Sequence, residues 1–550
     1  MKIKNTHTIF IAIGLCLITS HSLLAQQKKP YVSEVWVSDQ NNGTYKNPIL
    51  FADYSDPDVI RVNDDYYMVA SSFNETPGLP ILHSTDMVNW QLVNYAITDV
   101  LPLEHYNTPQ RGNGVWAPAI RYHKGEFYIY WGDPDFGIFM VKTKDPLGQW
   151  EQPVLVMEGK GLIDSCPLWD DNGDAYLVHG WAGSRAGVKS ILTINKMNPE
   201  GTKVIDKGVH VFDGHDKHPT VEGPKIYKRN GYYYIFAPAG GVATGWQLIL
   251  RSKNIYGPYE EKIVLEQGST KINGPHQGAW VDTPGGESWF YHFQDLDAYG
   301  RVIHLQPMKW EKDWPVMGID YDKNGIGEPV STHKKPNIAK KSTITTPYET
   351  DEFDADSLGL QWQWSANSNL VWSSKLRGKN YLRLFSIKTP EGSKSLWDVP
   401  NLLLQKFPAP NFVTTTKVKL TPEDAKEGKS AGMLVMGLDY QCLVITNKAD
   451  GYYLQLRGAV NADKGNPEKI LFETKLSSNE VYLKVKVNEP NGQCQFSYSE
   501  KGKDFLNAGK TFEAKPGKWI GAKVGLLSIS TQEANRGGYA DFDWFRVTEK

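Results

Sequence analysis

Five stretches between Asp56 and Trp289 repeat one pattern, and a chain that repeats a β-rich unit in this way has few folds open to it. Aligned on an apolar residue four positions on, they run Asp56-Pro-Asp-Val-Ile60, Trp116-Ala-Pro-Ala-Ile120, Asp164-Ser-Cys-Pro-Leu168, Glu222-Gly-Pro-Lys-Ile226 and His276-Gln-Gly-Ala-Trp280. Each copy passes through a turn, Asn63-Asp-Asp, Lys124-Gly, Asp171-Asn-Gly, Arg229-Asn-Gly or Pro284-Gly-Gly, into an aromatic strand such as YYMVASS or YYYIFAPAG. Turn chemistry of that kind between apolar runs marks hairpins. The leading positions lie 60, 48, 58 and 54 residues apart, a spacing suited to four-stranded blades. The expectation is a five-bladed β-propeller, in which the innermost strand of each blade lines the axis and the five leading residues converge.

Three carboxylic acids, an imidazole and an indole in one ring read as an active site. Taken singly, each has a plainer explanation: Asp before Pro is a common turn-former, Glu222 before Gly-Pro a solvated loop acid, and His276 a packed histidine. Their joint placement changes the reading, because like charges crowded into a funnel cost free energy unless chemistry uses them.

Beyond the fifth blade the pattern changes. Residues 26–324 are assigned to the propeller, and the polar, Pro-, Thr- and Lys-rich stretch 325–348 to a linker or a strand running between domains. Across 349–550, segments such as NFVTTTKVKL, YYLQLRGAV, VYLKVKV and AKVGLLSIS alternate at period two between turn signals, which predicts a β-sandwich of jelly-roll type. The fold class is therefore all-β. Residues 1–25 have a basic start, an apolar stretch and Ala25 before Gln26, as in a secretory signal peptide, so the mature protein is expected in the periplasm or secreted. Leu15 before Cys16 argues against a lipoprotein signal, and no later segment is long and apolar enough to span a membrane.

A net charge of −2 gives no basic footprint for nucleic acid. The 18 Trp and 28 Tyr fit a sugar-handling protein, though most will be core. No zinc-spaced Cys/His cluster and no phosphate-cradling loop occurs. Cys166 reads as a small packing residue, since no matched His accompanies it, and the sequence leaves open whether Cys442 and Cys494 pair.

The run NPILFADYSDPDVIRVNDDYYMVASSFNETPGLPILHSTDMVNW, the segments GVWAPAI and GLIDSCPLW, Glu222 in VEGPKIYKRNGYYYIF and His276 in GPHQGAW together resemble glycoside hydrolase family 43. The closing GGYADFDWFRVTEK resembles the last strand of concanavalin-like jelly rolls, as in the C-terminal domain of that family's β-xylosidase and α-L-arabinofuranosidase branch. The resemblance implies Asp56 as the general base, Glu222 as the general acid, and Asp164 as the acid that orients Glu222 and adjusts its pKa. It implies Phe73, Trp116 and Arg301 in the sugar pocket, and His276 as an axial residue that meets a structural calcium or a water. Calcium is not demanded by the sequence, and a calcium that only held the pocket would be needed for activity but not for folding. Asp164 is followed by Ser-Cys, and a long loop, TDVLPLEHYNTPQRGNG, precedes Trp116; both depart from many relatives.

Hydrolysis of a glycosidic bond needs one acid to protonate the leaving oxygen and one base to deliver water, roughly 6.5–9.5 Å apart in an inverting enzyme. Blades one and four face each other across the channel, which leaves room between Asp56 and Glu222. An ionised Asp164 is expected to raise Glu222 by like-charge repulsion, and Arg301 or backbone donors to hold Asp56 charged. The leading expectation is an exo-acting enzyme that releases terminal α-L-arabinofuranose from plant polysaccharide side chains or oligosaccharides. A β-xylosidase is the second reading and a non-catalytic lectin the third, the last expected to lack one of the acids.

Overall fold

The structure, a computed structural model, describes residues 30–340, 342–424, 426–532 and 537–549. The signal-peptide expectation for 1–25 falls outside them. Five four-stranded antiparallel sheets follow one another in chain order, with inner strands Asp58–Val62, Trp116–His123, Leu162–Trp169, Lys225–Arg229 and His276–Asp282. No helix among the described residues is long and apolar enough to cross a membrane.

The aromatic second strands have a physical reason. Every blade is covered on both faces, so alternate side chains of one strand serve two interfaces. In Asp65–Val69, Tyr66 and Met68 pack toward the fifth blade, whereas Tyr67 and Val69 pack toward the second. In Glu126–Asp133, Ile129 and Trp131 face the first blade, and Tyr128 and Tyr130 the third. Blades diverge outward from the axis, and large rings fill the wedge.

The ring closes through chain on both sides of the propeller. Before the first blade, the Ile49 amide donates to the Ile303 carbonyl (2.7 Å) and the Ile303 amide to the Leu50 carbonyl (3.1 Å). After the fifth, Thr332–Lys334 pairs antiparallel with Thr44–Lys46. Lys335 then reaches two buried carboxylates, Asp39 at 2.5 Å and Asp86 at 2.7 Å. The polar composition of 325–348 thus serves a strap bound to the propeller's flank.

Residues beyond 349 form two eight-stranded sheets packed face to face. Val418, Leu483, Val485 and Phe542 of one meet Met433, Leu443 and Leu526 of the other. Cys442 and Cys494 lie on opposite sheets as buried free thiols. The sandwich core runs on into the propeller through Phe51, Ala298, Tyr299 and Val302, so the two domains share apolar interior.

Polar contacts fix the angle between them. Thr76 and Trp364 exchange backbone hydrogen bonds, and the Asn367 side chain accepts from the Val100 amide and donates to its carbonyl. Glu75 and Lys523 form an ion pair across the interface, each side chain only 3 % exposed. Removing one partner of such a pair strands the other charge in the interior. Lys523→Met is therefore expected to lower unfolding free energy by about 3–5 kcal/mol in denaturant titration, and the Glu75→Leu, Lys523→Met double variant to recover most of it.

Candidate active site

In all five blades the chain turns into its inner strand through a left-handed residue: Asp56 (φ 57°), Ala117 (39°), Asp164 (59°), Gly223 (59°) and Gln277 (34°). In blades two, three and five the pairing ladder skips there, between Trp116 and Ala119, Ile163 and Cys166, and His276 and Gly278. Such a bulge bends a strand and re-aims one side chain off its face. The five aligned positions are therefore not fully equivalent, since the kink falls on the acid itself in blades one and three and on its successor in the others. In blade four only glycine serves, because a Cβ on Gly223 would lie 2.6 Å from Cγ of Gln277. The non-glycine kinks store backbone strain, of order 1–3 kcal/mol each, which the packed ring holds in place.

The kinks empty into a pocket of about 90 Å³. Asp56, Phe73, Trp116, Asp164, Glu222 and Arg301, all singled out in the sequence, line it together. His276 does not. It is 1 % exposed and stands behind Glu222, with its Nε2 2.9 Å from Oε1 of that residue.

Each acid is held differently. Oδ1 of Asp56 accepts from the Arg301 guanidinium (3.1 Å), and Oδ2 from the hydroxyls of Ser55 (2.8 Å) and Ser71 (2.6 Å). Ser71 Oγ in turn accepts from the Ala117 amide (2.7 Å), which couples the first acid to the second blade. Glu222 is the most open of the three, with 26 % of its side chain exposed and, among the described residues, a side-chain hydrogen bond to His276 alone. Asp164 is buried, and its Oδ2 accepts from the Gly223 amide (2.8 Å) and more weakly from Gln277 Nε2 (3.4 Å).

Burial and, after it, the negative charge of Glu222 push Asp164 up to about 8. Of the two causes desolvation is the larger, because burial disfavours the charged form of a carboxyl. Asp164 is thus a carboxyl of raised pKa that one hydrogen bond joins to the Glu222–Gly223 kink.

Aromatic rings enclose the mouth. Phe73 and Val115 exchange backbone hydrogen bonds at 3.0 Å, a close approach that Gly114 permits, since its Cβ would sit 2.4 Å from the Phe73 carbonyl oxygen. This sets Phe73 and Trp116 edge to face, 6.5 Å between centroids. The third ring, Trp519, comes from the sandwich, 6.1 Å from Trp116. Asp53 fixes it: Oδ1 accepts from the Arg301 amide and Oδ2 from the Gly521 amide, both at 2.9 Å. Sequence reasoning missed Trp519, Asp53, Ser71 and Gln277. Of these only Gln277, beside His276, carried a local signal.

Beneath the acids the axis is plugged. Asp58 accepts from Arg121 (2.6 Å), Arg121 donates to the Cys166 sulfur (2.8 Å), and Lys225 reaches across to the Pro118 carbonyl (3.0 Å). The cavity is thus a dead end, and Cys166, whose thiol burial pushes up, is part of its floor support.

Residues 45–315 match the family model described as glycosyl hydrolases family 43, and residues 350–548 the one described as beta xylosidase C-terminal concanavalin A-like domain. A putative beta-xylosidase of Xylanibacter ruminicola is 42% identical over 501 residues, 90% of this chain and 88% of that protein. The chain belongs to glycosyl hydrolase family 43. A non-reducing end alpha-L-arabinofuranosidase of Bacteroides ovatus is 28% identical, over 91% of this chain and 94% of its own. The crystal structure of a family 43 protein from Bacillus licheniformis superposes with a TM-score of 0.78 at 27% identity, covering 92% of this chain and 100% of that one. The reaction of this family 43 chain is hydrolysis of an O-glycosyl bond.

Calcium takes six to eight oxygen ligands. Among the described residues no group of three or more His, Cys, Asp or Glu could hold a metal, and the Nε2 of His276 is turned to Glu222. The Nδ1 of His276 is buried with no hydrogen-bond partner among the described residues, which leaves it free to meet a water or a hydrated ion.

The raised pKa of Asp164 bears on stability. An unfolded aspartate ionises near pH ~3.9, whereas the folded one holds its proton to about 8, so its contribution is complete below the unfolded value and drains away as pH rises through the folded one. The thermal midpoint of the wild-type protein is expected to fall between about pH 5 and pH 9, and Asp164→Asn to flatten that fall while lowering activity. Calorimetry across the range checks both.

Proposed function

We propose that this chain is an exo-acting β-xylosidase that releases terminal xylose from xylooligosaccharides with inversion. The similarity that carries the sugar assignment is the 42% identity, along nearly the whole chain, to a protein named a putative beta-xylosidase. The C-terminal match to a domain described for beta xylosidases supports it independently. This replaces arabinofuranose, which the FADYSDPDVIRV segment had favoured, as the first reading. Arabinofuranose stays the second, on the 28% identity to the Bacteroides ovatus enzyme.

The dead-end pocket suits exo action, because one terminal ring enters and the chain beyond it must stay outside. Asp56, with directed hydrogen bonds to both oxygens, is the base that activates water. Glu222, the acid most open to solvent, protonates the leaving oxygen. Asp164 and His276 are positioning residues for Glu222, the first through the Gly223 amide and the second through Oε1. Arg301 is shared between Asp56 and the pocket wall, and donates to sugar hydroxyls as well as to the base.

Nitrophenol release from the β-xylopyranoside is expected to exceed that from the α-L-arabinofuranoside, with α-xylose as the first anomer seen by NMR. The reverse preference would install the second reading, and a first-formed β-anomer would rule out inversion. Loss of a general acid or base lowers rates by about 10²–10⁴. Asp56→Ala is expected to lose that factor on every substrate, whereas Glu222→Ala loses it on xylobiose but far less on a dinitrophenyl xyloside, whose leaving group needs no proton.

A further inference from the structure

The inner pocket opens into a second, much larger space. The two share Arg301 and Trp519, and the outer chamber measures about 660 Å³ against about 90 Å³ for the pocket. Whatever sugar chain follows the ring held in the pocket runs into this chamber.

Its walls come from four parts of the sequence: the long loop before Trp116, Val242 of the fourth blade, the last blade, and the sandwich. From the loop, Arg111 donates through Nε to the Trp397 carbonyl (2.9 Å) and more weakly through its second nitrogen to that of Leu396 (3.4 Å), its guanidinium 4.8 Å from the Trp397 ring. No carboxylate among the described residues forms an ion pair with it. A guanidinium carries five N–H donors, and two carbonyls use only two of them. Opposite in charge, Asp297 and Asp463 are exposed on the chamber's rim with no side-chain hydrogen bond among the described residues. Lys518 and Asp295 complete the charged groups, and the two signs are mixed, which disfavours a strongly charged ligand. Trp519, 49 % exposed, offers an apolar face between them. Unengaged donors, unengaged acceptors and one open ring suit a neutral polyhydroxylated ligand.

We propose that the chamber is a binding site for the second sugar of a neutral leaving group, and that Arg111 and Asp463 give the enzyme a preference for substrates of three or more sugars over disaccharides. This rests on the reading of the inner pocket as the site that cleaves the terminal sugar. As a strut alone, Arg111 would tie the loop to the sandwich without distinguishing substrates by length.

The test compares kcat/KM of the full-length protein on xylobiose, xylotriose and xylotetraose. The triose is expected to exceed the biose about tenfold, what one hydrogen bond to a charged group is worth, and the tetraose to add little. Arg111→Ala and Asp463→Ala are each expected to bring the triose-to-biose ratio toward one. Asp463 is exposed and unbonded, so its variant reads the site even where loss of Arg111 loosens the loop. Equal kcat/KM on all three substrates, or a preference that survives both substitutions, overturns the proposal. If none is cleaved, the reading of the inner pocket fails instead. The affinity of Glu222→Gln for xylotriose relative to xylobiose, measured by calorimetry, then decides the chamber by itself, a ratio near one overturning it.

Discussion

Crowding of three carboxyl groups into one small pocket is the constraint that organises the centre of this molecule. Like charges at such separations repel strongly once water is excluded, and the surrounding residues relieve the repulsion in three ways. Asp56 is bound by Arg301 and two hydroxyls. Glu222 keeps one foot in solvent and leans on an imidazole. Asp164 is buried, and desolvation raises its pKa. The difference in surroundings gives similar groups different work, which is how one fold carries acid and base chemistry at the same pH.

The scaffold supplies those differences through backbone geometry. A regular inner strand would alternate its side chains between the two blade faces, and none would point up the axis. A left-handed residue at the head of every inner strand breaks the alternation where the pocket lies and nowhere deeper. Below it the axis is filled by Asp58, Arg121, Cys166 and Lys225, a polar plug whose members largely satisfy one another. Strain at the rim and packing at the base are two parts of one arrangement.

Much of this was legible in the sequence because repeats are self-aligning: five copies of a paragraph reveal which positions share an axis before any coordinate is known. The propeller, the sandwich and six of the pocket's residues follow from that pattern and from the family resemblance. The resemblance placed His276 on the axis, and its contact with Glu222 through Nε2 was beyond the sequence, since alignment gives a residue's height on the axis but not the direction of its ring. Trp519 and Asp53 were out of reach for a simpler reason: Asp53 and Gly521 are separated by 468 residues, and no local pattern spans such a gap. The sugar, likewise, is set by loops and walls that the repeat does not encode.

The two oxygens of Asp53 tie together two remote stretches of chain. One holds the backbone of Arg301, which touches Asp56; the other holds the backbone two residues past Trp519, at the mouth. A rigid carboxylate group of a few ångströms is therefore the common hinge pin of catalyst and lid. A tilt of the sandwich large enough to admit a bulkier chain would drag on the arginine that orients Asp56, so access and reactivity cannot be tuned separately. Grafting a foreign sandwich onto this propeller would, by the same token, disturb the Arg301–Asp56 contact even with every acid intact.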